Sequence, residues 1–161
     1  MKRLLIVGAG GHGSVVAETA IACGYEQIDF LDDNNPAAIG KIDDLEEQSP
    51  KYDGVVVSIG NNSFRRELIE RLEAIEAHLI TLVHPTAIIS HSAQVGRGSI
   101  ILPGSIIHTN AKVGKGCIVS IGALVDHDCV VGDYCHIDAG ALCKSRSIVA
   151  SGLKVEANVI S

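Results

Sequence analysis

Ala87-Ile88-Ile89-Ser90-His91-Ser92, Ala93-Gln94-Val95-Gly96-Arg97-Gly98 and Ser99-Ile100-Ile101-Leu102-Pro103-Gly104 are three successive hexads, each with a small first residue and a branched aliphatic third. The register continues without insertion. The third position reads Ile89, Val95, Ile101, Ile107, Val113, Val119, Val125, Val131, Ile137, Cys143, Val149 and Val155; the first reads Ala87, Ala93, Ser99, Ser105, Ala111, Cys117, Ala123, Cys129, Cys135, Ala141 and Ser147. A β-sandwich would need turn insertions every strand or two, and none interrupts this count. An unbroken hexad folds as a hexapeptide β-helix, three short strands to one triangular coil of 18 residues. The branched residue fills the prism, the small one lets the chain turn its corner, and each coil adds about 4.8 Å of height. Residues 84–161 supply thirteen hexads, a little over four coils. Stacking then predicts Val95, Val113, Val131 and Val149 in one interior ladder and Ile101, Val119, Ile137 and Val155 in another.

Upstream of His84-Pro85 the period is different. Leu4 to Val7 is a short aliphatic run that ends in Gly8-Ala9-Gly10-Gly11-His12-Gly13, and Ser14 to Cys23 then carries apolar residues at helical spacing until Gly24. Ile28 to Leu31 reads as a second strand, ending in the turn residues Asp32-Asp33-Asn34-Asn35-Pro36. Val55 to Ile59 reads as a third, Phe64 to Ala77 as an amphipathic helix with Arg65, Glu67 and Arg71 toward water, and Leu79 to Val83 as a fourth strand. Such alternation predicts a small parallel Rossmann-like sheet. The expected organisation is therefore an α/β unit over residues 1–83 and an all-β prism over 84–161.

Composition fits this division. Apolar residues make up 47% of the chain, yet it has only three Tyr, two Phe and no Trp, so its core must be built from small and branched aliphatic side chains. A net charge of -6 without a basic block argues against nucleic acid as a partner. No apolar run approaches the roughly 18 residues of a membrane helix, and Leu4 to Val7 is too short for a signal segment. Five cysteines without a C-x-x-C pair suit a reducing, cytoplasmic setting. Cys117, Cys129, Cys135 and Cys143 fall on the small and aliphatic columns and read as buried fillers.

The glycine loop joins a strand to a helix, where free backbone N–H groups attract phosphate. Asp32 and Asp33 stand where an acidic group could bond a ribose or a base. An NAD site is the simplest reading of that pattern. Against it, about 83 residues make half of a dinucleotide fold, and a β-helix brings no hydride chemistry. Among seven histidines, His127 is set apart by its flanking Asp126 and Asp128 at a prism corner. Proton transfer needs a base that titrates near neutrality, and a neighbouring carboxylate holds such a ring in the useful tautomer. His78, His84, His91 and His108 have no motif around them and read as solvated or capping residues.

The sequence resembles the bacterial sugar acetyltransferases that combine a short Rossmann-like domain with a left-handed β-helix, a family acting on sialic acids and on UDP-linked 4-amino sugars. The resemblance covers essentially the whole chain. It rests on Ile6 to Gly13, on Ile59-Gly60-Asn61-Asn62 with Arg65, on Val83-His84-Pro85, and on Asp126-His127-Asp128-Cys129 with Gly132-Asp133. It implies an acetyl-CoA-dependent transfer to an amino or hydroxyl group, and no metal is expected. The hydratase-type H-x-x-x-x-H zinc pair is absent. By the same resemblance His127 is the general base with Asp128 as its orienter and His136 is a second functional histidine. The resemblance also implies that Gly10, His12, Gly13, Asp32, Asp33, Asn61 and Arg65 cradle the nucleotide sugar.

His136 follows His127 by nine residues, one and a half faces around the prism, so the two should point apart on one chain. If both serve one site they come from different protomers, which argues for a homotrimer, as the resemblance also implies. Lys144 and Arg146, with Ser145, could meet coenzyme phosphates by charge. The resemblance further implies coils and a tail beyond Ser161, where this sequence stops in mid-hexad, which bears on acetyl-CoA affinity. A non-catalytic nucleotide-sugar-binding trimer and a nucleotide-dependent oxidoreductase are the alternative readings.

Overall fold

The computed structural model describes residues 1–161. Its N-terminal unit is built on β1 (Arg3–Val7), β2 (Gln27–Leu31) and β3 (Gly54–Val57), all parallel in the order β2-β1-β3. α1 (Gly11–Ala22) connects β1 to β2, the short α2 (Leu45–Gln48) precedes β3, and α3 (Asn62–Ala74) follows it. Leu4 to Val7 and Val55 to Val57 are apolar at every position because both faces of the sheet are covered. Leu5, Val7, Val55 and Val57 pack with Leu68, Ile69 and Leu72 of α3, whereas Leu4, Ile6 and Val56 pack with Val16 and Ala20 of α1.

The fourth strand expected over Leu79 to Val83 does not join this sheet as a whole. Leu79 makes a single parallel bridge to Val55, and β4 (Leu82–Val83) pairs instead with Ile100 and Ile101. The chain leaves the small sheet after one bridge because Leu82 and Val83 already carry the hexad register and serve as the first rung of the prism.

The prism is a left-handed parallel β-helix of two-residue strands. Its first face stacks β4, β7 (Ile100–Ile101), β10 (Ile118–Val119), β13 (His136–Ile137) and β16 (Lys154–Val155). The second stacks β5 (Ile88–Ile89), β8 (Ile106–Ile107), β11 (Leu124–Val125) and β14 (Leu142–Cys143). The third stacks β6 (Gln94–Val95), β9 (Lys112–Val113), β12 (Val130–Val131) and β15 (Ile148–Val149). Pairs such as Val113 with Val131 and Val119 with Ile137 confirm the interior ladders. The prism core of 16 residues consists entirely of Ile, Val, Ala and Cys, which explains a chain so apolar and so poor in rings.

The first face is where the two units meet. Leu82, Ile100 and Leu102 are buried among Leu4, Ile6, Val16 and Ala20 of the N-terminal unit. Further along the same face, His136 pairs with Ile118 on one side and Lys154 on the other, so that His136 emerges beside the start of α1.

Arg65 locks this arrangement, contrary to the expectation that it faces water. It has no solvent exposure. Nε donates to the Gly116 carbonyl at 2.7 Å, Nη1 to Ile59 at 2.8 Å, and Nη2 to the Asn62 side chain at 2.7 Å and to the Tyr134 and Cys135 carbonyls at 3.2 Å each. Leu68, Ile69 and Leu72 of the expected apolar stripe are buried while Phe64 and Ile75 are exposed, and the flank bearing Arg65 lies against prism carbonyls that only a fork of N–H donors can satisfy together. No helix is long and apolar enough to cross a membrane.

Candidate active site

One group of polar side chains gathers at the corner between the second and third prism faces. His127 Nδ1 is bonded to Asp128 Oδ2 at 2.8 Å, and the two side chains are 39% and 42% exposed. A ring whose Nδ1–H is held by a carboxylate carries its free lone pair on Nε2, which is what a base requires. The backbone N–H of His127 donates to Asp126 Oδ1 at 2.7 Å. His108 Nδ1 lies 3.4 Å from the same oxygen, and its ring stands edge-on to His127 with centroids 6.4 Å apart. The Asp128 carboxyl is held below the usual range by the His127 bond and then by one from Asn110.

The second group forms where α1 meets the first prism face. His12 is largely buried, its Nε2 has no partner, and its ring lies 6.4 Å from His136. Burial, then the neighbouring His136 and Arg65, push His12 down to about 4 against the opposing pull of Asp138. Burial likewise lowers His136, while Asp138 resists. His136 Nε2 sits 3.1 Å from Ser120 Oγ and 3.7 Å from Asp138 Oδ1, and Lys154 Nζ holds the other Asp138 oxygen at 3.3 Å. Both rings are therefore held toward the neutral form.

The glycine loop borders this second group. Gly8 has φ +104°, and a Cβ on Gly13 would lie 2.3 Å from the Gly8 carbonyl oxygen, so both positions require glycine for the turn itself. Gly10 is different. A Cβ there would meet nothing within 4 Å, because Gly10 faces an open cleft of about 520 Å³ shared with Ala9, Asp32, Asn34, Asn35 and Pro36. Asp32 lines the cleft, but its carboxylate is already occupied by backbone N–H groups of Ala9, Asn34 and Asn35 at 2.8, 2.8 and 2.9 Å. One Asp33 oxygen accepts the Ile42 N–H at 3.0 Å. These bonds shape the loop around the cleft that Asp32 lines, with Asp32 Oδ2 holding a single N–H partner.

Asn61 is the N-cap of α3, accepting the Phe64 N–H at 2.9 Å, and Arg65 is the buried lock described above. Neither side chain opens toward the glycine-loop cleft. Lys144 and Arg146 are exposed and stand one coil above Asp126 and Asp128, with the Arg146 N–H on the His127 carbonyl at 3.1 Å. The structure thus joins His127, Asp128, Lys144 and Arg146 at one corner and His12 with His136 at another place. His108, Asn110, Ser120 and Asp138 were not singled out by sequence. The coil period marks all four, since His108, Asn110 and Ser120 each precede Asp126, Asp128 and Asp138 by 18 residues.

Comparison with known proteins gives a consistent picture. Residues 3–72 match the PglD N-terminal domain. The chain is 34% identical over 120 residues to UDP-N-acetylbacillosamine N-acetyltransferase of Bacillus subtilis (strain 168), an alignment spanning 63% of this chain and 52% of that protein. It therefore spans about half the length of that curated relative. Among solved structures, the acetyltransferase domain of PglB from Neisseria gonorrhoeae superposes with a TM-score of 0.90 at 33% identity, covering 100% of this chain and 91% of that one. The same domain in complex with acetyl coenzyme A gives 0.85 at 34% identity, covering 97% and 88%. Perosamine N-acetyltransferase from Caulobacter crescentus, bound to CoA and GDP-perosamine, shares the fold with a TM-score of 0.80 at 24% identity, covering 99% and 91%.

Proposed function

Because the chain belongs to the bacterial sugar acetyltransferases that join a PglD-type domain to a hexapeptide-repeat β-helix, we propose that it transfers acetyl from acetyl coenzyme A to an amino group of a nucleotide-activated amino sugar. The observation that carries this reading is the His127–Asp128 pair, with Nδ1 held at 2.8 Å on a half-exposed side chain. In the reaction Nε2 takes a proton from the attacking amine as its nitrogen bonds to the thioester carbonyl carbon. The tetrahedral oxyanion is stabilised by a backbone N–H. Its collapse breaks the carbon–sulfur bond, and the imidazolium returns the proton to the departing thiolate. The products are the N-acetyl sugar and free coenzyme A.

Residues 1–83 bind the nucleotide sugar and residues 84–161 carry out the transfer in this reading. Gly10, Gly13 and the first turn of α1 receive the phosphates, while His12 and His136 bond the sugar. Lys144 and Arg146 hold the coenzyme near the base.

On one chain His127 and His136 belong to separate groups, so a complete site takes His127 from one copy and His136 from another. A homotrimer provides that. The outward side chains of the second face, Ile88, Ile106, Leu124 and Leu142, stack in one apolar ladder, with Ile88 59% exposed and the other three half-buried. That ladder suits a second copy. We assign the reaction to the cytoplasm, where acetyl-CoA is made and the five free cysteines stay reduced.

The test is thiol release from acetyl-CoA with UDP- and GDP-linked 4-amino sugars, comparing wild type with His127→Ala. Release above the variant with at least one acceptor is expected. No difference with any acceptor overturns the proposal.

A further inference from the structure

We propose that Asn110 is a positioning residue for the base: its amide fixes the Asp128 carboxylate, which in turn fixes the His127 ring. The proposal rests on the reading of His127 as the base. Asn110 and Asp128 are one coil apart and occupy the same corner position, both in the left-handed region at φ 56° and 58°. Few residues hold that conformation. Asn and Asp are among those that do, and Asn alone of the two brings a side-chain donor.

The contacts form a column along the prism edge. The Asn110 N–H donates to Ser92 Oγ at 2.9 Å, which anchors the turn from the coil below. Asn110 Nδ2 donates to Asp128 Oδ1 at 3.2 Å while Oδ2 accepts from His127 at 2.8 Å, so each carboxylate oxygen has one fixed partner. The Asp128 N–H is held by the Thr109 carbonyl at 2.9 Å. Arg146, at φ 61° in the coil above, adds a positive charge near the same carboxylate.

Without the Asn110 amide, Oδ1 has only solvent to hold it, and a half-exposed carboxylate can turn away from the ring. His127 then loses the partner that selects its Nδ1–H tautomer. Asp126 is engaged elsewhere, its Oδ1 accepting the His127 backbone N–H and facing His108.

The experiment uses Asn110→Gly, which keeps the left-handed backbone and removes the amide, and Asn110→Asp, which keeps the shape and sets a carboxylate against a carboxylate. Thermal melting establishes that each is folded. The 15N shifts of the His127 imidazole report its tautomer in wild type and variants, and steady-state kinetics report kcat and KM for acetyl-CoA. Both variants are expected to show a mixed tautomer and a kcat lowered by up to about 100-fold, with KM for acetyl-CoA unchanged. A wild-type tautomer in Asn110→Gly overturns the proposal, whether kcat is retained or falls together with a raised KM. If wild type transfers acetyl to no acceptor, the reading of His127 as base fails, yet the tautomer comparison still decides whether Asn110 orients the ring.

Discussion

The rings of His12 and His136 lie 6.4 Å apart, joining the first turn of α1 to the fourth rung of the covered prism face. The two histidines make that part of the junction polar, although Arg65 and the aliphatic contacts hold it together. The folded protein keeps His12 uncharged down to about pH 4, and this has a consequence for stability.

An unfolded histidine titrates near 6.5. Between that value and about 4 the unfolded chain binds a proton that folded His12 does not, so stability falls as pH drops through this window and is fully present above it. The loss amounts to about 3 kcal/mol at most. His136, shifted in the same direction, adds to it. Urea unfolding at pH 7.5 and 4.5 should show a smaller pH difference for His12→Asn than for wild type; equal differences would count against a buried neutral His12.

Arg65→Ala removes the donors that satisfy Gly116, Tyr134 and Cys135 carbonyls at the junction. A loss of about 3–5 kcal/mol is expected by chemical denaturation, the scale for breaking a buried charged network. A change within about 0.5 kcal/mol, as at a surface site, would show that the fork is dispensable.

Gly13→Ala and Gly10→Ala separate fold from binding in the glycine loop. The first drives a Cβ into the Gly8 carbonyl and should lower the melting temperature markedly; the second has open space and should leave it unchanged. Gly10→Ala should instead weaken nucleotide-sugar binding by isothermal titration, since its Cβ enters the cleft. Equal melting temperatures for the two variants would contradict this division.

Leu124→Glu places a charge in the apolar ladder of the second face. Sedimentation should shift from a trimer toward monomer while circular dichroism is preserved. A wild-type protein that sediments as a monomer would remove the shared site.

The prism was legible because a hexad repeat leaves no freedom of register: Val95 to Val155 fall on the predicted ladders, and the hexad places the neighbours His127 and Asp128 at a corner. That same period stacks Asn110 under Asp128 and Ser120 under Asp138. Arg65 was misread for a physical reason. Helical periodicity tells which side of α3 meets its own sheet, and says nothing of a second surface docking on the flank. His12 and His136 could not be paired from sequence, since no local period relates residues brought together by domain packing.

The most direct measurement is the rate of acetyl transfer to a nucleotide-linked 4-amino sugar by wild type and His127→Ala at equal acetyl-CoA saturation. The base assignment expects kcat to fall between about 100-fold and 10,000-fold with acetyl-CoA binding retained. A His127→Ala enzyme that turns over at the wild-type rate would contradict it.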